Sequence, residues 1–546
     1  MAAVGETVAH DTHEASNSGV PSDTVLAVVK SLRFFNGIWS AADAEGRQAE
    51  MDEVFSKILA DEQDDAETRE EKLKSLAQHL PTIARIATEC PFADVKARFS
   101  DVVEIARKEG LPVPEVNTAP SWFDDSHNAV LSRVEGEYGQ QLLEDLFVAS
   151  GGVLPHMEAL MGWFPQYLEC HLETIHVLMR ADGPVKIPWR HYIAIMAASR
   201  YGCTYLVRQQ EVEFLMSGGD PTWLQGLEHV PEKLAKLAEL NAILAHQPWR
   251  CSRQHIEDLA NEAWSVGELV HAICILCTYH ALVGFTMGCG VTPEVDMGGA
   301  AALPQVAKEK ENQVDDGDTI SAIIQRNASG TNTLRDELSG ARWREEDVER
   351  DKDQDFARAG EGGEADTVSE PAPFGGFGRY VGNLLLNHED FDVSNKDYSP
   401  LRQYEFCWKI QGMALVEQFL PELASPMDRE FDHCYEMTSF TLNGQTGFNT
   451  QPFRSAIWFY AQRIKGLCRD DFDYHLVNRL LHINIKRYVK KVACTPELLR
   501  LSDYLDIGYQ FQPEEEVHIN MLAIESRKQA ELLHGLRAIA AYMKPA

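Results

Sequence analysis

The sequence predicts an all-α protein, and three observations predict it. Apolar residues recur at helical spacing through most of the chain, period-two alternation is scarce, and the helical patterns start and stop at residues that suit helix ends. The clearest stretch is WRHYIAIMAASRYGCTYLVRQQEVEFLMSGG, residues 189–219. Pro188 stands where a first helical residue tolerates a missing N–H, and Trp189, Tyr192, Ile193 and Met196 follow on one face. Gly202 breaks the pattern, Cys203 follows, and a second run closes at Gly218-Gly219.

In chain order, residues 1–22 read as a polar, disordered tail. Residues 23–120 alternate short helical patterns with acidic runs such as 60–71 and end in a proline-punctuated connection; they are expected to be accessory helices and suggest no chemistry. Residues 121–295 form a first helical half. Residues 296–374 are rich in Gly, Ala, Ser and acids, and the run RWREEDVERDKDQD (342–355) has sparse apolar positions. A disordered acidic linker with at most a transient helix is expected there. Residues 375–546 form a second helical half. Its last helix opens at Pro513 with Glu514, Glu515 and Glu516 in the first turn and carries Leu532, Leu536, Ile539 and Met543 on one face.

Composition narrows the function classes. At 546 residues and 44% hydrophobic content the chain is globular with several domains' worth of core, and a net charge of −34 argues against a nucleic-acid binder. The first residues lack a secretory pattern, and eleven scattered cysteines do not read as a disulfide framework, so a reducing cytoplasmic setting is expected. The most apolar run, residues 270–291, carries His271 and His280 and reads as a buried core helix, not a membrane span.

Several residues could carry chemistry, each beside a structural alternative. Cys203 just past a helix break can become a thiolate, or serve as a small buried hydrophobe. Cys274 and Cys277 with His280 could be a dithiol or two metal ligands, but their apolar flanks favour packing, and no metal site or cofactor is expected. Asp470-Asp471 precedes an apolar pattern and reads as a helix cap. Glu515 reads as a first-turn acid and Arg454 as a solvated helix residue. The Asn327-Ala-Ser sequon is read as chance.

Longer strings carry a resemblance. WRHYIAIMAASRYGCTYLV, GGDPTWLQGLEHVPEKLAKLAELNAILAHQPW, RDDFDY, VNRLLHINIKRYVKKVACTPE and EVHINMLAIESRKQAELLHGLRAIAAYM together resemble the sestrins, across residues 137–291 and 375–543. The resemblance implies two alkylhydroperoxidase D-like helical halves, the second binding leucine. It also implies a stress-responsive negative regulator of TOR signalling that holds the GATOR complex until leucine releases it, in the cytoplasm with a nuclear pool allowed. The alternative it implies is a thiol-dependent alkyl hydroperoxide reductase. Carboxymuconolactone-type decarboxylation rests on fold analogy alone.

Residue by residue, the resemblance assigns peroxidase roles to Cys203 and Tyr205. Gln210 stands where the family pattern has histidine, and Leu206 where a resolving cysteine would stand. For leucine it assigns Glu515 to the ammonium, Arg454 to the carboxylate, and Thr438, Thr441 and Thr450 to the lining and latch. Gly508 replaces the family tryptophan, with Tyr509 adjacent, so Gly508→Trp is expected to tighten leucine binding. For GATOR it assigns Ser265, Asp470 and Asp471.

Overall fold

A computed structural model describes residues 23–41, 43–121, 137–297, 317–339, 376–382, 386–394, 396–437 and 441–544. Helices dominate; the strands among the described residues are four two-residue segments, β1 Leu401–Arg402, β2 Thr441–Leu442, β3 Gln445–Thr446 and β4 Leu467–Cys468. β1 pairs parallel with β4, and β2 pairs antiparallel with β3.

The chain opens with α1 Asp23–Ser40, α2 Ala44–Ser56, α3 Ala66–Glu89 and α4 Ala93–Lys108. Asp43 and Asp65 cap α2 and α3, each accepting from a backbone N–H three residues on at 2.8 Å. These helices share a core of their own with α5 Glu137–Ala149, where Trp39 meets Phe147 and Phe55 meets Phe99 edge to face, both at 5.0 Å. They are also tied to the rest: Val25, Val28, Val29 and Leu32 of α1 enter the main core, and Arg85 pairs with Asp296 at 2.8 Å in a dry setting.

The first half continues through α6 His156–Met161, α7 Pro165–Met179, α8 Ile187–Ser199, α9 Thr204–Met216, α10 Leu237–His246 and α11 Val266–Gly288. Gly202 adopts φ +63° at the α8–α9 turn, a conformation that disfavours a Cβ. α11 is apolar and long enough to cross a membrane, but its apolar window is wholly buried, as the sequence suggested. Cys274 and Cys277 lie inside it as free, buried thiols.

The second half holds α13 Pro421–Glu436, α14 Gln451–Ile464, α15 Ile483–Cys494 and α16 Pro513–Met543. α11 and α16 are the central pair, and one continuous core crosses both halves. Close approach explains the glycines along the pair. A Cβ on Gly284 would come within 2.6 Å of the Val492 carbonyl, and one on Gly535 within 2.9 Å of Ile273.

α16 carries buried charge that the sequence did not flag. Lys528 bridges Glu430 at 3.0 Å and Glu525 at 2.8 Å, while Glu531 takes Arg527 at 2.7 Å and Lys465 at 3.0 Å. His171 and His280, from the first half, join Glu430 and Glu531. The buried ion pairs lie within the second half, where loss of one partner costs about 3–5 kcal/mol, and His171 and His280 tie the first half to them by hydrogen bonds.

Within the segment expected to be linker, α12 Gly317–Leu338 is a docked helix. Asn327 donates to the Leu505 carbonyl at 2.9 Å and accepts from Gly508 N–H at 3.1 Å, and Thr331 accepts from Gln510 N–H at 2.7 Å. Few apolar positions are needed when polar side chains cap the partner's backbone, so the apolar pattern missed this helix. Asn327 is buried with both amide atoms engaged, in keeping with a chance sequon. The 342–355 charge run and the 1–22 tail lie outside the described residues.

Candidate functional site

Two helix N-termini frame the first candidate site. α14 begins after Thr450 and α16 after Gln512, and both open their first turns onto a cavity of about 60 Å³. Thr441, Thr450, Arg454 and Glu515 all line it, so four of the five leucine-site residues suggested by resemblance come together. Thr438 lies outside the described residues.

Glu515 sits at the third position of α16 and is part of a capping box. Its carboxylate accepts from Gln512 N–H at 2.9 Å, Asn443 N–H at 3.0 Å, the Thr441 hydroxyl at 2.9 Å and Gly444 N–H at 3.4 Å. It thereby staples the β2–β3 hairpin to the helix. Asn443 and Gly444 turn that hairpin with φ +52° and +67°, the two-residue turn that matches strand twist.

Arg454 corrects the sequence reading of a solvated residue: it is 6% exposed, in the first turn of α14. It donates to the Tyr435 carbonyl, its Nε has no partner, and no carboxylate forms an ion pair with it among the described residues. Burial pulls its pKa below the usual arginine value. A cation at a helix N-terminus adds to the positive end of the dipole, so this corner of the cavity favours an anion.

The apolar walls come from residues the sequence reading missed. Phe453 follows from α14, Phe511 precedes α16, Ile519 and Leu522 follow on its pocket face, and Phe164 arrives from the first half. The α16 set has helical spacing with Glu515 and was legible in principle; Phe164 is brought in only by packing. Gly508 and Tyr509 are not among the lining residues. Tyr509 donates instead to the Leu480 carbonyl at 2.9 Å, and Phe511 is the nearby aromatic residue on the pocket wall.

Cys203 is the N-terminal boundary residue of α9, where the backbone N–H groups of Leu206 and Tyr205 favour a thiolate, but its side chain makes no capping hydrogen bond. It is nevertheless fully buried, and desolvation pushes its thiol up to about 12. Burial outweighs the helix terminus. Tyr205 donates to Glu294 at 2.8 Å, and Gln210 bonds His191 at 2.9 Å.

The remaining candidates are exposed. Asp470 pairs with Arg402, and Asp471 with Arg469 at 3.0 Å. The cap reading is corrected: the next helix, His475–Leu480, starts after Tyr474 without a side-chain cap, and the acid nearest its start is Asp473, which accepts from His475 N–H at 3.0 Å. Ser265 caps α11, accepting from Glu268 N–H at 3.2 Å, while the Glu268 carboxylate accepts from Ser265 N–H.

Fold and site together define an all-α protein with a small pocket between two helix N-termini and a fully buried cysteine at a third. Comparison with known proteins places it further. The family model described as "PA26 p53-induced protein (sestrin)" matches residues 119–543. A sestrin homolog of Dictyostelium discoideum is 34% identical over 508 residues, covering 86% of this chain and 84% of the relative. Sestrin-1 of Mus musculus is 35% identical, covering 80% and 92%, and Sestrin-2 of Homo sapiens is 35% identical, covering 72% and 85%. The chain belongs to the sestrin family, a sestrin-type stress-responsive protein.

Proposed function

We propose that the second half binds a free apolar α-amino acid, leucine first, and that this ligand controls a cytoplasmic, GATOR-binding role in restraining TOR signalling. One observation carries the ligand reading: Arg454 is a buried guanidinium with no carboxylate partner among the described residues, lining the same cavity as Glu515. A carboxylate supplies the missing charge, an ammonium takes Glu515, and the phenylalanines take the side chain. Because Glu515 already accepts from four donors, an ammonium must displace the weakest of them. The Gly444 contact of the hairpin, at 3.4 Å, is the exchangeable one. Ligand binding is thus coupled to hairpin geometry, which supplies a physical route from leucine to a partner surface.

The peroxidase alternative ranks below this. A thiol held near 12 is un-ionised at neutral pH, and Gln210 cannot move protons.

Calorimetric titration of the full chain with leucine tests the reading. Removing one partner of a buried charged contact costs about 2–5 kcal/mol, so Arg454→Ala should weaken leucine roughly 30-fold to several thousand-fold. Absence of leucine binding at millimolar concentrations, or an Arg454→Ala titration identical to wild type, would refute it.

A further inference from the structure

A second, larger cavity of about 400 Å³ lies in the first half, lined mainly by α5, α6, α7, α9 and α11. Cys203 does not line it. Its walls are largely apolar, with Leu146, Met157, Ile175, Met179 and Leu282 among them, and its polar groups are unbalanced. Asp145, Glu158, Glu169, Glu213 and Glu294 face it against a single guanidinium, Arg180, and three histidines, of which His171 is engaged by Glu430 at 2.8 Å and the others are His176 and His191. Arg180 is already engaged by Glu213 at 3.2 Å and the Ala149 carbonyl at 2.6 Å. Glu294 is held by the Tyr205 hydroxyl at 2.8 Å and His156 N–H at 2.7 Å.

Glu158 is different. It is 8% exposed, it lines the cavity, and its Oε2 is buried with no hydrogen-bond partner. A buried carboxyl oxygen without a donor is costly unless something enters to satisfy it.

We propose that this cavity is a second ligand site, taking a small, mostly apolar molecule that carries a protonated amine, with the ammonium on Glu158. The chemistry selects the head group. An anion would meet five acids, and an alcohol could bond the neutral Glu158 carboxyl but could not form an ion pair with it. The hydrocarbon portion is accepted by the Leu, Ile and Met walls. His191, whose pKa burial lowers, stays neutral beside Gln210 and adds no competing cation.

Glu158 itself is pushed up to about 8, chiefly by burial and then by Glu294, with Arg180 opposing and Glu213 reinforcing. Empty, it is therefore mostly protonated at neutral pH. An arriving ammonium ionises it, so binding releases a proton.

The probe is n-hexylammonium chloride, titrated calorimetrically into the full chain, with 1-hexanol and hexanoate as controls. Hexylammonium should bind at least about 10-fold more tightly than either control. Glu158→Gln should weaken it about 30-fold or more, while Arg454→Ala, in the other pocket, should leave it unchanged. Titration of wild type at pH 7 in two buffers of different ionisation enthalpy should show proton release, a readout that does not depend on any variant folding. The proposal is overturned if hexylammonium gives no heat at millimolar concentrations or if hexanol binds equally well. It is equally overturned if Glu158→Gln retains affinity, if no proton is released, or if Arg454→Ala abolishes binding.

Discussion

Gly508→Trp separates what resemblance suggests from what the structure allows. Gly508 adopts φ +88°, and a Cβ there would lie 2.6 Å from His482 Nδ1 and 3.1 Å from His482 Cγ. Its N–H donates to Asn327, and its carbonyl lies where a Cβ on Gly330 of α12 would approach to 1.9 Å. The left-handed backbone costs a non-glycine residue about 1–2 kcal/mol, and forcing bulk into a packed site costs about 1–3 kcal/mol more. The sum is roughly 2–5 kcal/mol, a large share of a typical stability of about 5–15 kcal/mol. Urea denaturation should therefore show a lowered midpoint, with α12 released from the second half. Leucine affinity should not rise, because the position is outside the lining and Phe511 already supplies an aromatic wall. A Gly508→Trp protein as stable as wild type that binds leucine more tightly would refute the argument, and would mean that the backbone rearranges to admit the ring.

Three further outcomes are expected. Stability should fall as pH drops from about 6.5 through 4. Burial holds His271, His280 and His518 down at about 4, so the unfolded chain takes up protons that the fold refuses, and each contributes up to about 3 kcal/mol. It should also fall as pH rises through 9, where His156 and His388, each pushed up to about 9 with acidic partners, lose their protons; a stability maximum at pH 9 or above would contradict this. Cys203 should resist iodoacetamide at pH 7.5 in the folded protein and react only after denaturation, and turnover of cumene hydroperoxide should be poor; robust turnover lost in Cys203→Ser would reverse the ranking of functions. Asp470→Ala with Asp471→Ala should shift stability by no more than about 1 kcal/mol, since both pairs are exposed, yet should abolish GATOR co-precipitation; retained binding would remove the pair from the partner surface.

The sequence alone determined the helical class, the buried nature of α11, the extent of α16 from Pro513 to Met543 and the family, because helical periodicity, caps and long motif strings are local properties of a chain. It also marked Arg454, Glu515, Thr441 and Thr450, although only by resemblance. What it could not contain is environment. Cys203 has the right local setting for a thiolate, yet full burial decides its ionisation. Arg454 looks like a surface residue on its own helix, and Glu525, Lys528 and Glu531 look like a solvated face; other helices remove the water from all four. α12 docks in good part by polar side chains on another segment's backbone, so Asn327 and Thr331 share its buried face with Leu334 and the apolar period is too thin to read. Phe164 joins a pocket built some three hundred residues later in the chain, and Glu158 lacks a partner only because of what surrounds it. Periodicity reports which side of an element faces inward, whereas desolvation and charge pairing depend on which distant groups meet there, and the tertiary structure alone decides that.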